Sequence, residues 1–154
     1  MRKSAEALRW IGKILKKSNV PFEISGGLAA KVYGSTRTLA DIDIEIPKKK
    51  FNVVARQVGP YIIFGPKRYR DKHWDVFLMT LDYGGQKIDI SELKAKIFDH
   101  SKKRWVVVRA NPAKAVSKKV FNTREPIEPK ASLIKYKKEL SRRVDKIDVR
   151  ALLK

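Results

Sequence analysis

Two aspartates one residue apart, Asp41 and Asp43, lie thirteen residues beyond a glycine pair in the run Ile24-Ser25-Gly26-Gly27. Side chains along a strand alternate between faces, so Asp41, Asp43 and Glu45 share one face while Ile42, Ile44 and Ile46 point to a core. Carboxylates held about 6 to 7 Å apart along a strand repel each other unless a cation offsets them. Hard oxygen donors of this kind suit Mg²⁺. The upstream Ser25-Gly26-Gly27 turn is flexible and of a size to face a phosphate. A third carboxylate, Asp89, repeats the pattern between Ile88 and Ile90 and can join the first two. Acid-on-strand chemistry around a divalent ion is the first expectation.

The elements that must position these groups follow from periodicity. Leu8, Ile11 and Leu15 recur at helical spacing opposite Arg9, Lys13, Lys16 and Lys17, which predicts a helix over 4–18 ended by Asn19. Pro21 to Ile24 is extended, the glycine turn follows, and Leu28 to Tyr33 read as a second helix. The Asp41–Ile46 strand stops at Pro47, Phe51 to Val58 predict a helix closed by Gly59-Pro60, and Tyr61–Phe64 reads as a short strand. Trp74 to Tyr83 is apolar on both faces, as in a central strand, and Gly84-Gly85 predicts a tight hairpin back into Gln86–Ile90. Leu93 to Phe98 reads as a turn or a short helix, and Trp105 to Val108 as a strand. Pro112 and Pro126 to Pro129 punctuate the chain before Leu133, Tyr136, Leu140, Val144, Ile147 and Ala151, which predict one bent helix or two short ones. Trp10 and Trp105 are expected in the core, and His73 and His100 on the surface or as caps, without ligand spacing.

The 154 residues fit one domain spanning 1–154, with a core at about 20–110 and C-terminal helices at about 128–153. Hydrophobic residues at 43% and charged residues at 34% suit a folded protein rather than a disordered one. No apolar run approaches the roughly 20 residues of a bilayer span, and Met1 to Ser4 lead into an amphipathic helix rather than a leader, so a cytoplasmic protein without membrane contact is expected. Without cysteine there is neither a disulfide framework nor a thiolate metal site. Thirty-six Lys and Arg against 16 Asp and Glu give +20, which points to a polyanionic partner. A heat-adapted surface would raise Lys and Glu together, and here the acids are few.

Gly26-Gly27, the helix after it, Asp41-x-Asp43 and the later Asp89 together resemble the nucleotidyltransferase superfamily that includes DNA polymerase beta. The short form, with Asp145-Lys146-Ile147-Asp148 in its C-terminal helix, is similar to the small lincosamide and aminoglycoside nucleotidyltransferases and related uncharacterised proteins. The resemblance covers about residues 20–92 and, more weakly, 128–152. It implies an α/β (α+β) nucleotidyltransferase fold: a mixed twisted β-sheet flanked by helices, with a C-terminal helical segment.

The implied reaction moves a nucleoside monophosphate from an NTP, such as ATP, to an acceptor hydroxyl with release of pyrophosphate. The resemblance assigns Asp41 and Asp43 to two Mg²⁺ ions, and Asp89 to help ligate one and to receive or orient the acceptor proton. Gly26 and Gly27 would approach the β- and γ-phosphates, with Ser25 assisting. Arg37 and Lys135 are the candidates for neutralising the triphosphate. Glu45 reads as a surface or supporting residue and Lys31 as solvated. Asp145 and Asp148 either pair with Arg142 and Arg143 or serve the site. The +20 charge favours RNA, such as a tRNA end, over a cationic aminoglycoside as acceptor. The alternatives are an antitoxin-like or regulatory transferase acting on a protein partner, a small-molecule nucleotidyltransferase, and a non-catalytic nucleic-acid-binding module.

Overall fold

The computed structural model describes residues 2–154. An opening helix, α1 (Arg2–Lys17), lays Ala7, Leu8, Ile11 and Leu15 against the sheet and stops where Asn19 takes a left-handed conformation at φ 54°. The short strand β1 (Glu23–Ser25) runs directly into α2 (Gly26–Val32), and a loop leads to β2 (Asp41–Ile46). A 3-10 turn at Lys48–Lys50 opens α3 (Phe51–Val58). Then come β3 (Ile62–Arg70), β4 (Trp74–Tyr83), β5 (Gln86–Glu92), β6 (Lys94–Asp99) and β7 (Arg104–Arg109). The hairpin β8 (Val116–Val120) and β9 (Thr123–Ile127) precedes α4 (Lys130–Leu140) and α5 (Arg143–Leu152).

All nine strands belong to one mixed sheet in the order β7-β6-β4-β5-β2-β1-β9-β8, with β3 on the other side of β4. Two pairings, β2 with β5 and β1 with β9, are parallel and the rest antiparallel. One face carries the core: Ile24, Ile42, Ile44, Ile46, Ile88, Ile90, Met79 and Leu81 pack with the apolar stripes of α1, α2 and α3. The isoleucine alternation on β2 and β5 thereby turns their aspartates to the opposite face.

Four local readings differ from this structure. Leu93–Phe98, expected as a turn or short helix, forms β6, because Ile97 reaches Trp74 of β4 on one side and Val106 of β7 on the other. Lys94-Ala95-Lys96-Ile97 alternates as a strand does, but Phe98 on the open face and the buried Asp99 invert the pattern after four residues. The short strand at Tyr61–Phe64 starts at Ile62 and continues to Arg70, where Lys67 to Arg70 pair with Leu78 to Asp75. The β8–β9 hairpin had no sequence signal: Phe121 and Asn122 make the two-residue turn at φ 48° and 67°, and Pro126 sits inside the second strand. Trp105 is half buried outside the core, edge-on to Phe98, whereas Trp10 is half buried but packs against the core, stacked on Tyr83 at 4.3 Å. The Gly84-Gly85 hairpin forms as expected, with both glycines at positive φ, and the C-terminal segment is two helices broken at Ser141, φ 51°.

Candidate active site

Sheet register sets the carboxylates side by side. Asp43 on β2 is the Cα partner of Asp89 on the parallel strand β5, of Ser25 on β1, and Asp89 in turn faces Thr80 on β4. One row across four strands thus reads Ser25, Asp43, Asp89, Thr80. Register neighbours stand about 4.8 Å apart, and Asp41 lies one pleat away on the same strand face.

Crowding shows in the acid strengths. Burial, then the charges of Asp89 and Asp41, push the Asp43 carboxyl up to about 7. Asp89 is raised by burial and by Asp41, against the Thr80 hydroxyl that donates to it at 2.6 Å. Glu45 is raised well above its ordinary value by burial, Glu128, Asp43 and Glu23, although Ser25 Oγ donates to it at 2.6 Å. Glu45 is half-buried on this acidic face and, tied to Ser25, fits the supporting role rather than that of a free surface residue.

Such mutual destabilisation is relieved by a cation, and the donors are the hard oxygens that Mg²⁺ takes. Asp41, Asp43 and Asp89 fit that ion chemically. They do not yet close on it: among the described residues no three Asp, Glu, His or Cys side chains form a group that could hold an ion. The Asp89 side chain is instead tied to Thr80.

Gly26 is required at its position. Its φ is +61°, and a Cβ there would lie 2.1 Å from Asp43 Oδ2, so any side chain would collide with the central carboxylate. At Gly27 a Cβ would meet Arg37 Nη2 at 3.1 Å, which places that guanidinium beside the turn. Arg37 is anchored there by two hydrogen bonds to Asp148, from Nε at 3.1 Å and Nη2 at 2.8 Å.

Sequence reasoning missed Lys137. It is 1% exposed and bridges Asp145 at 3.2 Å and Asp148 at 2.9 Å. Arg142 completes the cluster by holding Asp145 through Nε at 2.7 Å. Asp145 and Asp148 are thus structural ion-pair partners, with Arg37 and Lys137 in place of the expected Arg143 for Asp148. Burial would raise Asp148, but hydrogen bonds from Arg37, Lys137 and Ser35 prevail and hold it at about 2. A sign of Lys137 was present in the sequence, since it stands four residues after Leu133 and three before Leu140, on the buried stripe of α4.

A cavity of about 980 Å³ opens over this face. Asp41, Asp43, Asp89, Ser25, Gly26, Gly27, Arg37 and Lys135 all line it, so the residues expected to hold metal and nucleotide reach one space, whereas Asp145 and Asp148 do not. Lys135 is exposed and pairs with Glu139 at 3.3 Å. The other lining side chains include Glu23, Glu128, Tyr136 and Arg142, none of which the motifs identified. His73 and His100 are outside it, with ring nitrogens 3.4 Å apart on the exterior.

No family model matches the sequence, and no curated protein is significantly similar to it. Solved structures do match. A Thermotoga maritima protein described as a candidate nucleotidyltransferase superposes over 96% of this chain and 92% of its own, at TM-score 0.69 and 18% identity. The chain has the nucleotidyltransferase fold. Two further structures share that fold. The lincosamide antibiotic adenylyltransferase LnuA, bound to lincomycin, covers 96% of this chain and 95% of its own (TM-score 0.63, 14% identity). The enzyme ANT(2")-Ia, in complex with adenylyl-2"-tobramycin, covers 97% and 87% (TM-score 0.63, 15% identity). The nucleotidyltransferase fold places the mixed sheet and the flanking helices as the resemblance implied. No helix among the described residues is long and apolar enough to cross a membrane.

Proposed function

We propose that this protein is a Mg²⁺-dependent nucleotidyltransferase that moves a nucleoside monophosphate from an NTP to an acceptor hydroxyl and releases pyrophosphate. The observation that carries this reading is the in-register pairing of Asp43 with Asp89 on parallel β2 and β5, beside a turn where only Gly26 fits. Asp41, Asp43 and Asp89 would hold the metal, which when bound neutralises charge on the triphosphate and on the entering and leaving oxygens. Asp89, raised by burial, is placed to accept the hydroxyl proton. Backbone N–H groups of Gly26 and Gly27 would meet the phosphates, with Arg37 beside the turn and Lys135 also lining the cavity to offset their charge. Ser25 acts one step removed, by fixing Glu45.

RNA as the acceptor draws on the +20 charge. The exposed runs Lys48-Lys49, Lys67-Arg68 and Lys102-Lys103-Arg104 account for much of it. The cavity has the opposite character: eight of the chain's 16 acids line it, against five of its 36 bases. An acceptor that must reach Asp89 meets carboxylates, which favours a small hydroxylated compound over a polyphosphate strand.

The test supplies Mg²⁺ and α-labelled NTPs together with bulk RNA, lincomycin or tobramycin. Label on a small compound, lost in the Asp41→Asn, Asp43→Asn double variant, is the expected result. Equal transfer by that variant would exclude this site, and label on RNA alone would reverse the choice of acceptor.

A further inference from the structure

A second group of carboxylates lies beside the first and has no assigned role. Glu23 on β1 and Glu45 on β2 are cross-strand partners, and the Glu128 amide donates to the Ile24 carbonyl at 2.9 Å, which brings Glu128 alongside. All three line the cavity. In a chain with 36 Lys and Arg, none of them makes an ion pair among the described residues. Glu23 is 2% exposed, its Oε1 accepts from the Asn111 amide at 3.1 Å, and its Oε2 is buried with no partner.

Other buried acids of this protein are treated differently. Glu125 Oε1 also lacks a hydrogen bond, but its charge is offset by Lys16 Nζ at 3.0 Å and its Oε2 accepts from the Thr123 hydroxyl at 3.0 Å, while Asp145 and Asp148 share Lys137. A buried carboxylate oxygen without a protein donor costs free energy, and a cationic ligand that donates to it offsets that cost. We propose that Glu23, Glu45 and Glu128 form a cation subsite beside the catalytic row, which holds a protonated amine of the acceptor.

Three features select an amine over a metal ion. A primary ammonium carries three N–H donors, one for each carboxylate. Glu23 and Glu45 each already have one oxygen occupied by a protein donor, so a hard cation would have to complete its shell of six or more with several waters, whereas an ammonium needs one free oxygen from each carboxylate. The space in front is large enough for an organic molecule, and Val76, Leu78 and Val107 give it an apolar wall. Burial and the neighbouring Glu23 charge outweigh Lys137 and push Glu128 up to about 8, so ionising this group is costly until a cation sits beside it. Glu45 stands two residues past Asp43 on the same face, so the amine and the reacting hydroxyl would be separated by about 6 to 7 Å. The inference rests on the transferase reading for its purpose, since it names the acceptor class, but its test does not need turnover.

Glucosamine and N-acetylglucosamine offer the same hydroxyls with and without the charge. The full chain, uniformly ¹⁵N-labelled and free of NTP, is titrated with each sugar by NMR. Glucosamine should bind at least about tenfold more tightly, with shifts centred on β1, the end of β2 and Glu128. Glu23→Gln and Glu128→Gln should each reduce glucosamine to the level of the acetylated sugar and leave the latter unchanged. Thermal melts no lower than wild type would show that both variants fold. Equal or absent binding of the two sugars, or glucosamine affinity untouched in the variants, overturns the subsite. So does Mn²⁺ broadening centred on Glu23 and Glu128 that glucosamine cannot displace. Amine binding without nucleotide transfer would remove the reaction and keep the subsite, whereas equal transfer to both sugars would keep the reaction and remove the subsite.

Discussion

Asp43 is the residue in which stability and chemistry oppose each other. Its carboxyl is held at about 7 by burial first and then by Asp89 and Asp41, above the ordinary value of 3.8. The folded state therefore binds the proton more tightly than the unfolded chain, and the associated stability, complete below about pH 4, is lost as pH rises to about 7. In metal-free buffer the melting temperature should fall across that window, and Mg²⁺ should restore it most at pH 8; differential scanning fluorimetry with and without the ion reads both. Asp43→Asn should raise the metal-free melt at pH 8 by about 2 to 4 °C for each kcal/mol of relief. Transfer should fall about 100-fold or more in the same variant. Gly26→Ala puts a Cβ 2.1 Å from Asp43 Oδ2 at φ +61°, whereas Gly85, at φ +87°, has open space around it. Both alanine variants should lose about 1 to 2 kcal/mol to left-handed strain, but only Gly26→Ala should lose activity, as measured by labelled transfer.

Between elements, the Lys137 cluster ties the loop after α2 to both C-terminal helices and thereby positions Arg37 over the glycine turn. Removing one member of a buried pair leaves the other uncompensated, so Lys137→Met should cost about 3 to 5 kcal/mol, read as a drop in the urea midpoint. Asp148, held at about 2, contributes in the opposite sense to Asp43: its stability is present above about pH 4 and is lost as pH falls towards 2. Asp148→Asn should flatten that acid limb in pH-dependent urea unfolding. Elements with a clean period were legible: the Ile42, Ile44, Ile46 alternation and the Leu8, Ile11, Leu15 stripe each name their structure. The strand β6 was not, because Phe98 and the buried Asp99 invert its short alternation and its identity comes from pairing with β4 and β7.

Across the whole molecule the charge is segregated. Half of the acids face one cavity, while exposed lysines and arginines on the loops and outer strands carry the +20. RNA should accordingly bind the exterior without sequence preference and with a steep salt slope, which fluorescence anisotropy between low and moderate salt would measure. Transfer to a small acceptor should continue at an unchanged rate in the presence of excess RNA. Inhibition competitive with the acceptor would instead place RNA in the cavity and refute the separation.

By itself the sequence determined the carboxylates on β2 and β5 and the glycine turn beside them, because strand alternation and turn chemistry are local and each leaves its signature within a few residues; the class of fold followed from the resemblance those motifs carry. The sign of the cavity was decided by tertiary structure alone. Parallel pairing of β1 with β9 brings Glu128 to Glu23 from the far end of the chain, and packing of α4 buries Lys137 next to Asp145 and Asp148. Net charge is a sum over residues and carries no position, so a strongly basic chain can fold around an acidic interior only where long-range pairing collects its few acids on one face.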